Sequence, residues 1–182
     1  MDQDLVVRVQ QGDQRAFEAL ALADHPRLYR VAHGILRDHQ SAEDATQQAL
    51  LDIWRDIHRL REPSKYEGWS YRLLVHACGR EAKRRPDWLP ADAIPPERQP
   101  RSADEYDTVL DRDQLERGFQ HLTVDHRAVV VLRYLVDLTP EQVAEVLGIQ
   151  HKAASIRYVR ALRRLRNVLS EIPGFLEGDH DV

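Results

Sequence analysis

The sequence predicts an all-α protein of two small helical domains joined by a proline-rich acidic linker, and three observations predict it. Apolar residues on either side of residues 86–103 recur at three- and four-residue steps, the period of a helix with one buried face. No convincing strand alternation occurs: Val129 to Leu132 is β-branched, but Leu122, Val129, Leu132, Leu135 and Val136 fit a helical face better. Finally, Pro86, Pro90, Pro95, Pro96 and Pro100 crowd one stretch, where they remove backbone donors and force preceding residues into extended conformations. That stretch is acidic, and residues 86–103 read as a semi-rigid linker. A long surface loop inside one domain is the alternative, although structureless loops of that length are uncommon. The expected organisation is therefore a first domain at 1–85, a linker at 86–103, a second domain at 104–170 and a tail at 171–182.

Each element has a local reason. Leu5, Val6 and Val9 form a short apolar stripe that ends at Gly12. Asp13 is placed to cap a helix carrying Phe17, Leu20 and Ala21, and Leu28, Val31, Ala32 and Ile35 continue its face. Ser41, with Asp44 three residues on, is expected to cap the next helix. There Ala45, Ala49 and Ile53 repeat beside Leu50, Trp54 and Ile57, while Glu43, Asp44, Gln47, Gln48 and Asp52 occupy other faces. Pro63 to Gly68 reads as a loop, followed by a helix from Trp69 to about Arg85. In the second half, Thr139-Pro140-Glu141-Gln142 combines a capping residue, proline at the first helical position and Gln three residues after the cap. Val143, Ala144 and Leu147 give that short helix a buried face, and Gly148 ends it where a left-handed residue is wanted. A second helix follows from about His151 with Ala154, Tyr158, Ala161, Leu162, Leu165 and Leu169 along one side. This is a helix-turn-helix layout.

Composition excludes several classes. The chain has 182 residues, long enough for one or two domains with real cores. Its single cysteine, Cys78, rules out a disulfide scaffold and points to a reducing compartment. No apolar run approaches the ~18 residues of a membrane span, so no direct membrane insertion is expected. The N-terminus, Met1-Asp2-Gln3-Asp4, has no apolar signal-peptide core, and a cytoplasmic location is expected. The nine histidines show no metal spacing and there is no glycine-rich phosphate loop, so no cofactor, metal or catalytic residue is expected and the chain does not read as an enzyme. Cys78 reads as a small core or half-exposed residue, with a redox sensor as the alternative.

Charge is informative by segment. The formal net charge is −4, which by itself argues weakly against a nucleic-acid partner. Yet Lys152, Arg157, Arg160, Arg163, Arg164 and Arg166 occur with no acid between Val146 and Ser170, directly after the capped helix and glycine turn. Such a face displaces phosphate counterions and binds DNA with strong salt dependence. A second cluster gathers Tyr66, Trp69 and Tyr71 with Arg72, His76, Arg80, Lys83, Arg84 and Arg85, and Glu81 is the only acid between Trp69 and Arg85. Two readings fit it: aromatics and cations that hold unstacked bases, or core aromatics with solvated arginines.

Taken together, these residues resemble a known family. Gly12-Asp13 with Ala16-Phe17, Leu28-Tyr29-Arg30, Ile35-Leu36-Arg37-Asp38, Ala42-Glu43-Asp44-Ala45-Thr46-Gln47 and Trp54-Arg55 resemble conserved region two of the sigma-70 family, and more narrowly its extracytoplasmic-function (group IV) members. Gly68 to Leu73, leading to Lys83-Arg84-Arg85, looks like the end of that region, and Leu122 to Leu165 is similar to region four. The resemblance implies a dissociable initiation subunit whose partners are core RNA polymerase and promoter DNA, with an anti-sigma factor as a further candidate. It implies that Glu43, Asp44, Gln47, Gln48, Leu51 and Trp54 lie in the helix that docks on the coiled coil of the largest polymerase subunit. Lys65, Tyr66 and Glu67 would lie in the loop that captures a flipped minus-ten base, with Trp69, Arg72, His76, Arg80 and Lys83 along the adjoining helix. His151, Lys152, Ala153, Ser155, Ile156, Arg157 and Arg160 would face the minus-thirty-five duplex, and the acidic linker would run through the polymerase's positive channels.

Departures from the family pattern are specific. His76 stands where Asn is frequent, Arg80 where Asp is frequent, and Lys152-Ala153-Ala154-Ser155-Ile156-Arg157 replaces the usual Gly-Thr-Val-Lys-Ser-Arg. The competing reading is a stand-alone helix-turn-helix regulator with an N-terminal sensory or dimerisation domain.

Overall fold

The structure, a computed structural model, describes residues 3–84 and 115–170; the expected linker and tail lie outside these. Among the described residues every regular element is helical. Helix α1 (Gln3–Gln10) buries Val6 and Val9, and its Arg8 ion-pairs with Asp13 at 2.7 Å. Asp13 caps α2 (Gln14–Leu36), its carboxylate accepting from the Ala16 amide at 3.0 Å. Helix α2 runs through Pro26 without ending and buries Leu20, Leu28, Val31, Ala32 and Ile35.

Two expected boundaries are corrected. The N-cap of α3 (His39–Asp56) is Asp38, which accepts from the Ser41 amide at 2.7 Å, so Ser41 sits inside the first turn and is buried. Arg37 ends α2 in the left-handed conformation (φ 62°), leaving a turn of only two residues between the helices. Helix α4 (Tyr66–Arg84) begins three residues before Trp69, because a 3₁₀ turn at Pro63–Lys65 leads directly into it and Tyr66 is drawn into the core.

The second half contains a helical stretch at 115–120 (α5), then α6 (Val124–Tyr134), α7 (Pro140–Leu147) and α8 (His151–Ser170). The capping box on α7 is fully formed. The Gln142 amide donates to Thr139 Oγ1 at 3.3 Å, and the Thr139 amide donates to the Gln142 side chain at 2.8 Å. Gly148 (φ 65°) closes α7, a conformation that costs other residues about 1–2 kcal/mol. Helix α8 packs across both α6 and α7.

The two halves also pack on each other. Helix α2 lies against α6 and α4 lies against α7, and the buried apolar residues of both halves form one continuous cluster. Gly34 eases the α2–α6 approach: a Cβ there would stand 3.0 Å from Val131 Cγ2, tighter than most real contacts, so Val131 would have to give way.

Candidate nucleic-acid interface

The N-terminal surface is positioned by a buried polar network. Asp24, only 1% exposed, accepts from the Tyr66 hydroxyl at 2.7 Å and pairs with Arg27 at 2.9 Å. Arg27 also donates to Ser70 Oγ at 3.1 Å and lies 4.5 Å above the Tyr71 ring. Burial opposes the Arg27 charge, but Asp24 and Tyr71 more than offset it and raise its pKa. Burial and Asp24 likewise keep the Tyr66 phenol protonated. The hydrogen bonds made by Asp24 and by Arg27 Nη2 pin the first turn of α4 to α2, while Arg27 Nε and Nη1 are buried without a hydrogen-bond partner. Neither Asp24 nor Arg27 was expected. The signal existed, because Asp24 occupies an apolar phase between Leu20 and Leu28 on the buried stripe of α2.

With α4 fixed in this way, Arg72, His76, Arg80 and Lys83 line one exposed face at four- and three-residue steps. Trp69 is half-buried, its ring 6.1 Å from that of Tyr66. Lys65 and Glu67 are exposed beside it, Lys65 paired with Glu62 at 3.0 Å. Tyr66 itself departs from the expectation of a DNA-facing loop residue: its side chain is in the core and underpins Trp69. Arg80 donates to the buried Asp52 of α3 at 2.6 Å, so it is oriented by α3 as well as by its own helix. Burial, then the neighbouring Arg72 and Arg80, lower the His76 pKa below its ordinary value. His76 is therefore neutral near pH 7 and presents hydrogen-bonding nitrogens between two guanidinium groups.

Helix α3 presents a different chemistry. Gln47, Gln48, Leu51 and Trp54 are exposed, Leu51 at 61% and Trp54 at 40%, and Trp54 rests on Phe17 with ring centroids 4.7 Å apart. Glu43 and Asp44 are half-buried. Hydrogen bonds from Gln47 and His25 hold the Glu43 carboxyl below the usual carboxylate range. An apolar pair framed by amides and carboxylates suits a protein contact better than a phosphate backbone.

On α8, Lys152, Ala153, Ile156 and Arg160 share an exposed face. His151 is exposed and paired with Glu141 at 3.2 Å, and half-buried Ser155 donates to the His151 carbonyl at 3.1 Å. Arg157 turns aside: it is half-buried and points at Asp125 of α6, 3.7 Å away. The Arg133 guanidinium donates to the Leu138 carbonyl and holds the connection before α7. Among the described residues no cluster suits a metal ion, and no helix is long and apolar enough to cross a membrane.

A helix-turn-helix with a cationic second helix, joined to a half carrying a separate cationic row beside a tryptophan, defines a DNA-binding protein of the helix-turn-helix class. Residues 20–86 match the family model for sigma-70 region 2, and residues 118–167 match that for sigma-70 region 4. The chain belongs to the sigma-70 family of RNA polymerase sigma factors, and several of its relatives are ECF sigma factors. It is 30% identical to RNA polymerase sigma factor CarQ of Myxococcus xanthus over 91% of this chain and 95% of that protein. With ECF RNA polymerase sigma factor SigM of Mycobacterium tuberculosis it shares 29% identity, over 92% and 84% of the two chains. Its fold is similar to that of CnrH, solved with the cytosolic domain of CnrY (TM-score 0.65, 21% identity, 93% of this chain and 97% of that one). It is also similar to the sigma factor RpoE of Bartonella quintana, solved with the anti-sigma factor NepR (TM-score 0.62, 22% identity, 85% and 96%).

Proposed function

We propose that this protein binds core RNA polymerase through α3, holds the melted minus-ten strand on α4 and reads the minus-thirty-five duplex with α8. The observation that carries the reading is the pair of family regions in the right order, each with its own exposed cationic helix face. Leu51 and Trp54, with Gln47, Gln48, Glu43 and Asp44 around them, form the polymerase-docking patch. Lys65, Glu67, Trp69, Arg72, His76, Arg80 and Lys83 form the minus-ten surface, where cations follow the backbone and the exposed edge of Trp69 meets a displaced base. Tyr66 supports that surface from beneath. Lys152, Ala153, Ile156 and Arg160 face the minus-thirty-five major groove, with His151 and Ser155 at its margin, while Arg157 fixes α8 against α6 and reaches phosphate from the side.

The protein adds no chemistry of its own: it positions the polymerase and stabilises opened DNA in the cytoplasm, and it is no enzyme. Residues 1–85 and 104–170 are its two functional units, joined by 86–103. An anti-sigma partner is inferred from relatives of this fold solved with such proteins.

Run-off transcription with core polymerase and a pool of promoter templates tests the reading. Initiation at a defined subset of templates is expected. Tight duplex binding by the protein alone, with no initiation on any template, supports instead the stand-alone regulator with an N-terminal sensory or dimerisation domain.

A further inference from the structure

Between α3 and α4, the helices assigned above to polymerase and to the minus-ten strand, lies a recess of about 190 Å³. Small side chains, the buried Ala45 and Ala77, leave room at its base. A cavity of about 150 Å³ holds benzene, so the recess has room for one heterocyclic base. Its walls carry both kinds of hydrogen-bonding group. Arg80, Arg84 and Gln48 supply donors, and the carboxylates of Asp44 and Glu81 supply acceptors.

Arg80 is held from behind. Its Nη2 donates to Asp52 Oδ2 at 2.6 Å, while Gln48 at 3.1 Å and Arg55 at 2.9 Å occupy Oδ1 of the same carboxylate. Asp52 is 4% exposed, and a buried carboxylate keeps its partners because losing them leaves a desolvated charge. The Arg80 side chain is itself half exposed, so its planar fork is anchored at one nitrogen and still reaches solvent.

That arrangement is a poor phosphate ligand. Asp52 already answers the Arg80 charge, and a phosphate entering the recess would meet Asp44 and Glu81. A neutral base meets no such opposition. Guanine offers two adjacent acceptors, O6 and N7, that an arginine fork matches, and an N2 amino group that a carboxylate accepts. Adenine would set its N6 amino group against the guanidinium, and the pyrimidines lack the paired acceptors. The recess also continues the row of Arg72 and His76 along α4, which points to a base of the same displaced strand.

We propose that the recess between α3 and α4 is a guanine subsite for a displaced promoter base, with Arg80 as its specificity-determining residue and Asp52 as the positioning residue behind it. The inference rests on the minus-ten assignment of α4 and adds a base preference to it.

The test uses the full-length protein with core polymerase and a promoter library randomised across the minus-ten region, sequencing the templates that initiate. Guanine should be favoured about 10-fold at one position. Arg80→Lys keeps the charge and loses the fork, and should abolish that preference. Asp52→Asn should weaken it too, by freeing the guanidinium, although losing a negative charge favours DNA binding in general. At the same position 7-deazaguanine lacks the N7 acceptor. It should lower wild-type initiation about 5-fold and leave the Arg80→Lys protein unaffected.

No guanine preference at any position, or a preference that Arg80→Lys retains, overturns the proposal. So does a uniform gain on every template from Asp52→Asn with the base preference intact, the behaviour of a masked phosphate contact. Initiation on no template by any of these proteins removes the sigma-factor reading and this proposal with it. Initiation without an Arg80-dependent preference removes the proposal alone.

Discussion

Asp24 shows how one residue organises a site it never touches. It is buried, accepts from Tyr66 and Arg27, and through them holds the first turn of α4. Removing it leaves the Arg27 charge desolvated, with its principal partner gone. Breaking one side of a buried pair typically costs about 3–5 kcal/mol, so Asp24→Ala should lower stability by that order in chemical denaturation. Tyr66→Phe deletes one hydrogen bond to a charged group and should cost only about 1.5–3 kcal/mol. A change in Trp69 emission in the still-folded Tyr66→Phe protein would show that the tryptophan has lost its seat. Equal, small losses for both variants would contradict the network.

Histidine makes a second residue-level argument. His33, His76 and His126 all have pKa values below the ordinary histidine value, each chiefly through burial and then through neighbouring arginines, His39 also contributing at His33. Their unfolded forms therefore bind protons more readily than their folded forms. Stability is full above about pH 6.5 and is lost as pH falls from there through the depressed folded values. Melting temperature should decline between pH 7.5 and 5.5, before the carboxylates of Asp13 and Glu43 begin to titrate. His126→Gln, which removes a ring facing Arg157, Arg160 and Arg164 with only Asp125 opposing, should flatten part of that decline. A flat melting profile over this range in the wild-type protein argues against all three assignments.

At the scale of elements, local chemistry decides what is readable. The α7 capping box and the Gly148 turn lie within ten residues and need no distant partner, so the helix-turn-helix is legible in the sequence alone. Thr139→Ala removes a bond to the Gln142 amide and should cost about 1 kcal/mol. Gly148→Ala forces a side chain into φ 65° and should cost about 1–2 kcal/mol. Both should weaken duplex binding by misplacing α8 while leaving single-strand binding by α4 nearly unchanged, measurable by fluorescence anisotropy with the two probes. Ser41 and Asp38 were harder to separate, since both offer a cap oxygen three residues before an amide. Asp38 prevails because Arg37 adopts a left-handed conformation, which no glycine announced. The early start of α4 depends on Asp24, 42 residues away, and no local pattern contains that partner. Gly34 reads in sequence only as a weak helix interior; its role at the α2–α6 contact exists only in three dimensions.

Across the whole molecule, a net charge of −4 conceals three surfaces of different chemistry. The exposed face of α8 carries Lys152 and Arg160, α4 carries Arg72, Arg80 and Lys83, and α3 carries Leu51 and Trp54 among amides and carboxylates. Each surface should therefore fail in its own way. A phosphate contact contributes a slope of about −0.9 in log affinity against log salt. Lys152→Ala and Arg160→Ala should thus each flatten the duplex-binding slope by about 1 if the side chain meets phosphate, and relax sequence preference if it meets a base. Trp54→Ala should leave that slope untouched. Its half-exposed ring, seated on Phe17, has the character of an interface anchor, and truncating such anchors costs about 2 kcal/mol or more, roughly a 30-fold loss in affinity for core polymerase. The measurement is paired: salt-dependent duplex binding for each variant, and competition with the wild-type protein for a limiting amount of core polymerase. A Trp54→Ala protein that competes normally but binds duplex poorly would reverse the assignment of α3. Lys152 and Arg160 variants that lose polymerase affinity while keeping the wild-type salt slope would do the same for α8.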